Sequence, residues 1–136
     1  MSKSLKRVRA ALNAAGLPAD IHEVGQARTA QEAAESVGCH IDQIAKSIAL
    51  RGETSGDVVV FITAGGNQVD LAAATALAGE PLGKADAALI RAQTGFAIGG
   101  VSPIGHVSPC RKWGDTTLLG FDRIWAAAGT PHHVFG

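Results

Sequence analysis

The run Val58-Val-Val-Phe-Ile-Thr63 constrains this chain more than any other stretch. Its residues are β-branched or aromatic, and none is polar before Thr63. Such a run suits a strand only when both of its faces are covered. The segment before it, Ile44 to Arg51, alternates instead. One face carries Ile44, Lys46, Ile48 and Leu50, and the other carries Ala45, Ser47, Ala49 and Arg51. That period of two predicts a second strand.

Helical spacing surrounds this pair. Leu5, Val8, Leu12 and Ala15 form an apolar stripe that predicts an amphipathic helix ending at Gly16, with Pro18 just beyond. Thr29-Ala-Gln-Glu32 reads as a capping box at the start of a helix over 30–37, closed by Gly38. A third helix runs through Leu71 and Leu77 to Gly79, and Asp86 caps a fourth that ends before Gly95. Short strands are predicted over 20–24, 96–98, 117–119, 123–128 and 133–135. Helices and strands interleave without a βαβ rhythm, so the fold class is α+β with a mixed, partly closed sheet. The 136 residues suit one domain over 1–136, and 25 Ala with 17 Gly require much of its core to be small-residue packing.

Composition narrows the function. Twelve basic residues balance twelve acidic ones, so no whole-chain field draws in nucleic acid. Four Phe, two Trp and no Tyr argue against a platform that stacks successive bases. Cys39 and Cys110 lack any CxxC spacing and read as buried free thiols rather than a disulfide scaffold or zinc site. Met1-Ser-Lys-Ser-Leu-Lys-Arg-Val-Arg9 is charged where a secretory leader would be apolar, and no stretch reaches the ~18 apolar residues of a membrane span. A cytoplasmic location with no membrane partner is expected. No Gly-x-Ser-x-Gly, His-Glu-x-x-His, Walker-type or Gly-x-Gly-x-x-Gly motif occurs. The chain thus offers no recognisable nucleophile or metal cage, and no cofactor is expected.

Two features remain. Lys46 sits on an apolar strand face, where an unpartnered ammonium is costly. It must snorkel out at a sheet edge, pair with a carboxylate, or face a ligand. The segment Thr94-Gly-Phe-Ala-Ile-Gly-Gly-Val-Ser-Pro-Ile-Gly-His106 leaves main chain with little side-chain cover. It serves either as a tight strand connection with a bulge or as a cradle whose amides approach a ligand closely. Pro103 stiffens it and favours an extended Ser102. His106 follows it directly and is a candidate for the same place. His132 and His133 lack a third ligand at metal spacing.

Ile44-Ala-Lys-Ser-Ile48, the strand over 58–63, Thr94-Gly-Phe96 and Gly99-Gly-Val-Ser-Pro-Ile-Gly105 together resemble the YbaK-like family. These are trans-editing aminoacyl-tRNA deacylases related to the editing domain inserted in bacterial prolyl-tRNA synthetase. The likeness runs from Thr29 to Pro131. It implies a small barrel-like mixed sheet flanked by helices, with a cleft for the 3′ end of a mischarged tRNA. It also implies hydrolysis of the ester to a small wrong amino acid such as Ala, Cys or Ser, chiefly on tRNA for proline. The family's essential lysine falls on Lys46 and its Gly-x-x-x-Pro loop on Gly99 to Pro103.

The resemblance thus implies an essential role for Lys46, and Gly100 and Val101 are expected to join it in catalysis. Amides near Gly100 and Val101 would stabilise the oxyanion, and Lys46 would hold the terminal phosphate or ribose. An ordinary lysine is protonated near neutral pH, which suits a point charge better than a base. Substrate contacts are expected from Gly99, Ser102, Pro103, His106 and Thr130. The acceptor end of mischarged tRNA is the expected partner, with an aminoacyl-tRNA synthetase as a second. A binding module for a tRNA end or nucleotide, without turnover, would use the same residues. The chain departs from some relatives at Thr130-Pro-His-His133, where they carry an acidic residue, so any role of that acid does not transfer.

Overall fold

A computed structural model describes residues 2–25 and 27–136. The elements run α1 (Lys3–Ala14), β1 (Ile21–Glu23), α2 (Ala30–Val37), a 3₁₀ turn (Ile41–Gln43), β2 (Ile44–Gly52) and β3 (Val58–Ala64). There follow α3 (Leu71–Ala78), β4 (Leu82–Lys84), α4 (Ala87–Thr94), β5 (Lys112–Gly114), a 3₁₀ turn (Thr116–Gly120), β6 (Trp125–Ala127) and β7 (His133–Phe135). The strands form one mixed sheet in the order β1-β7-β6-β2-β3-β5, with β4 added to β2. β2 pairs antiparallel with β3 but parallel with β6, and β3 pairs parallel with β5.

The apolar run takes the place its composition demands. β3 lies between β2 and β5, and Val58, Val59 and Val60 are at most 1% exposed. Val58 and Val60 face a core with Leu5, Val8 and Leu12 of α1, Ile90 of α4 and Phe96. Val59 and Phe61 face the opposite way, against Ala74 of α3. Fully burying a side chain such as Val or Phe contributes about 1.5–3 kcal/mol, so this strand anchors both layers. Ala34, Ala45, Ala64, Ala74, Ala78, Ala85, Ala126 and Ala128 are all buried, the small-residue packing that the composition requires.

The helices start and stop on expected residues. Ser2 caps α1 by accepting from the Leu5 amide at 3.0 Å. Thr29 and Asp86 cap α2 and α4, and glycines at 38, 79 and 95 close α2, α3 and α4 in left-handed conformation. Only half of the expected box forms at Thr29. Its hydroxyl accepts from the Glu32 amide, but the Glu32 carboxylate bonds that same hydroxyl rather than the Thr29 amide. The reciprocal arrangement lies instead at His40 and Gln43.

Two predicted strands are absent. Residues 96–98 form a turn, because Phe96 follows left-handed Gly95 and donates its amide to Thr94 Oγ1 at 3.1 Å. Residues 117–119 belong to the 3₁₀ turn, whose start is fixed by Asp115 accepting from the Thr117 amide at 2.9 Å. Among the described residues, no helix is long and apolar enough to cross a membrane.

Candidate functional site

The site begins at an interruption in the sheet. β3 covers one edge of β2 from Ala45 to Arg51. The other edge is shared: β6 pairs with Ile44 and Ala45, and β4 pairs with Leu50, Arg51 and Gly52. Residues 46–49 lie between, uncovered. Val60 donates to Arg111 and Ile62 accepts from Asp115, so these two β3 residues direct their main chain toward β5. The alternation then directs the main-chain N–H and C=O groups of Lys46, Ile48 and Leu50 toward β3, and those of Ser47 and Ala49 into the opening.

Lys46 pairs with Thr63 and shares a face with Ile48 and Phe61. It is half-buried, and Nζ donates to the Gly65 carbonyl oxygen at 3.3 Å. Among the described residues no carboxylate forms an ion pair with it, which removes pairing from the roles open to Lys46. Gly65 is itself held closely, since a Cβ there would run into the Ile41 carbonyl.

The glycine segment crosses the same space. Gly99 has φ +84°, which favours glycine. Gly100 is glycine for a different reason: a Cβ there would lie 2.8 Å from the Thr130 carbonyl carbon. Main chain therefore packs on main chain, seating the loop against the residues before β7. Thr130 Oγ1 accepts from the His132 amide at 3.2 Å and lies 2.7 Å from His133 Nδ1. Lys46, Ser47, Gly99, Val101 and Thr130 all line one cavity of about 320 Å³. Among the described residues, its walls hold no Asp or Glu.

Several expected site residues lie elsewhere. The Gly100 amide donates to the Ala97 carbonyl at 2.9 Å, so it is spent on a turn and is no free oxyanion donor. No hydrogen bond among the described residues engages the Val101 amide. Ser102 is fully buried, with its hydroxyl accepting from the Ile104 amide at 3.2 Å. Neither Ser102, Pro103 nor His106 lines the cavity.

His106 packs behind the loop. Its Nε2 lies 2.6 Å from the Ser102 carbonyl oxygen, which makes that nitrogen the donor. Nδ1 is then free to accept from Cys110 Sγ at 2.8 Å. Burial lowers the His106 pKa below its usual 6.5; the bond to Ser102 opposes this, and the Lys112 and Arg7 charges add to it. Burial raises the Cys110 thiol, with Lys112 opposing.

Reading the sequence missed other walls of the cavity: Arg28 and Thr29 at the start of α2, Ser47, Trp125 of β6 and His133 of β7. Ser47 alone had an accessible signal, a polar residue between two alanines on an apolar strand face. His132 Nδ1 meets the Gly25 carbonyl oxygen at 2.6 Å. Among the described residues no group of three or more His, Cys, Asp or Glu is placed to hold a metal.

Comparison with known proteins identifies the family. The protein YwhH of Bacillus subtilis (strain 168), itself uncharacterized, is 32% identical over 129 residues, 93% of this chain and 81% of that protein. A crystal structure assigned provisionally as a trans-editing enzyme for prolyl tRNA synthetase superposes with TM-score 0.90 at 43% identity, covering 99% of this chain and 86% of that one. A scaffold used in computational epitope grafting gives TM-score 0.89 at 42% identity, with the same coverage. The profile of the aminoacyl-tRNA editing domain matches residues 24–136. With Lys46, Gly99 and Val101 lining one cavity inside that matched region, the chain belongs to the aminoacyl-tRNA editing domain family.

Proposed function

We propose that this protein is a trans-editing hydrolase that deacylates mischarged aminoacyl-tRNA, above all tRNA for proline carrying a small wrong amino acid such as Ala, Cys or Ser. One observation carries the reading: Lys46, Gly99 and Val101 line a single cavity that has no carboxylate among its described wall residues. Family membership and the likeness to a provisionally assigned prolyl trans-editing enzyme support it.

The chemistry needs little from side chains. An aminoacyl ester is already activated, and the ribose hydroxyl next to it can position or deprotonate water. Water oxygen attacks the ester carbonyl carbon, the acyl C–O bond breaks, and a proton returns to the ribose oxygen. The protein holds the reactants and stabilises the negative charge on the carbonyl oxygen. The Val101 amide is the donor for that oxygen, and Lys46 holds the terminal phosphate or ribose as a cation. Ser47 is no nucleophile here, since its hydroxyl has no base beside it. Contact with only the acceptor end gives few phosphate contacts and a shallow salt dependence, about −0.7 in log–log slope per phosphate.

The test is release of free amino acid from tRNA for proline charged with Ala, Cys, Ser or Pro. Release from the mischarged species, with Pro-tRNA spared, is the expected result. Lys46→Ala should lower it by about 100-fold or more, the scale of losing one stabilising donor, while the melting temperature holds. Binding without release would identify a tRNA-end binding module instead.

A further inference from the structure

We infer that Ser47, with the uncovered main chain of β2 beside it, holds the α-amino group of the aminoacyl ester and so selects substrates with a free amine. The inference rests on the editing reading and deepens it. Three observations meet at this residue. Ser47 lines the cavity beside Lys46. Its hydroxyl oxygen is buried and has no hydrogen-bond partner. Its own N–H and C=O point into the opening between β6 and β4, where no strand receives them.

A buried hydroxyl without a partner is destabilising, because desolvation is not repaid. The same holds for an uncovered carbonyl in the interior of a sheet. Both are acceptors, and they belong to one residue. The α-amino group of an aminoacyl ester, when protonated, presents three N–H donors on a carbon adjacent to the scissile carbonyl. Inside this cavity it finds no Asp or Glu among the described residues to meet it, while Lys46 repels it. Neutral acceptors are what remains: the Ser47 carbonyl, directed into the opening, and its hydroxyl, free of any partner. The Lys46 and Ser47 side chains alternate across β2, so the cation meant for phosphate or ribose and the acceptors meant for the amine approach the cavity from different faces of the strand.

The experiment compares alanyl-tRNA and N-acetylalanyl-tRNA, both on tRNA for proline, with the wild type, Ser47→Ala and Ser47→Thr. The wild type should prefer the free amine. Ser47→Ala should raise KM for alanyl-tRNA about tenfold, the scale of one hydrogen bond to a charged group, change kcat less, and narrow the preference over the acetylated form. Ser47→Thr keeps the hydroxyl and should restore most of the preference. Because Ser47→Ala removes an unsatisfied group, its melting temperature should stay level or rise.

An unchanged preference in Ser47→Ala, with wild-type turnover intact, overturns the inference and leaves the editing reading standing. Loss of melting temperature with equal loss on both substrates assigns Ser47 a structural role and also overturns it. No release by the wild type from any mischarged tRNA defeats the editing reading itself.

Discussion

The two halves of the glycine-rich loop do opposite work. Gly99 and Val101 line a cavity, with Gly100 between them seated on the Thr130 main chain. Ser102 to His106, directly after it, faces the core and is pinned from behind. Arg7 of α1 donates to the Gly105 carbonyl at 2.8 Å and to the Gly95 carbonyl at 2.6 Å, with its guanidinium 4.9 Å from the centre of the Phe96 ring. His106 is stitched to Ser102 and Cys110. The front half can stay bare because the back half is rigid. A loop that reads as one motif thus divides into a working surface and its mounting.

Substitutions that separate the halves test this division. The largest effect is expected at Gly100→Ala. The new Cβ would meet the Thr130 main chain, which is not a flexible side-chain tip, and would force the loop off its seat. Displacement of about 1 Å costs on the order of 100-fold in rate, and overpacking costs about 1–3 kcal/mol of stability. Deacylation and thermal unfolding measured together should both fall; loss of stability alone would mean that the front half does not position substrate.

Arg7→Met comes next and should reverse the pattern. It removes hydrogen bonds from a charged donor to two loop carbonyls, so unfolding free energy should drop by about 1.5–3 kcal/mol. Activity per folded molecule, assayed well below the melting temperature, should change little. A large loss of kcat in a folded variant would show that mounting and surface are one unit.

The smallest effect is the pH response of His106. Its folded pKa is depressed from 6.5, so the unfolded chain takes up the proton first as pH falls. Stability should be full above about pH 6.5 and decline as pH drops from there toward the folded value. His106→Gln should flatten that part of the curve in melting experiments. An unaltered slope would place the titration elsewhere.

Much of the frame is legible from local pattern. The β2 alternation, the β3 run and the helix caps each announce themselves within a few residues, because burial on one or two faces dictates them. The strands β4 and β5 do not. Each is three residues long, Leu82–Lys84 and Lys112–Gly114, and exists because a partner offers an edge rather than because of a periodicity of its own. Residues 117–119 were misread for the converse reason: they have strand-like composition, but the Asp115 side chain sets a 3₁₀ turn.

The candidate site divides likewise. Lys46 stands out as a cation on an apolar face, and the glycines of 99–100 as unclothed backbone. Thr130 came only from resemblance. Trp125, His133 and Arg28 reach the cavity through the pairing of β6 and β7 with distant strands and the placement of α2, which no local spacing encodes. His106 follows the loop in sequence yet turns away from the cavity, because the chain reverses behind Ser102.

The interruption along β2 has a consequence for solubility. Free strand edges invite pairing with other molecules, and proteins ordinarily blunt them with charge, proline or a bulge. Along this edge of β2 only residues 46–49 are open, and β6 and β4 close off both ends. A foreign strand of typical length, about five or six residues, would collide with one flank or the other before it could zip up. The gap can thus present raw peptide groups to a small guest while remaining a poor template for a foreign strand.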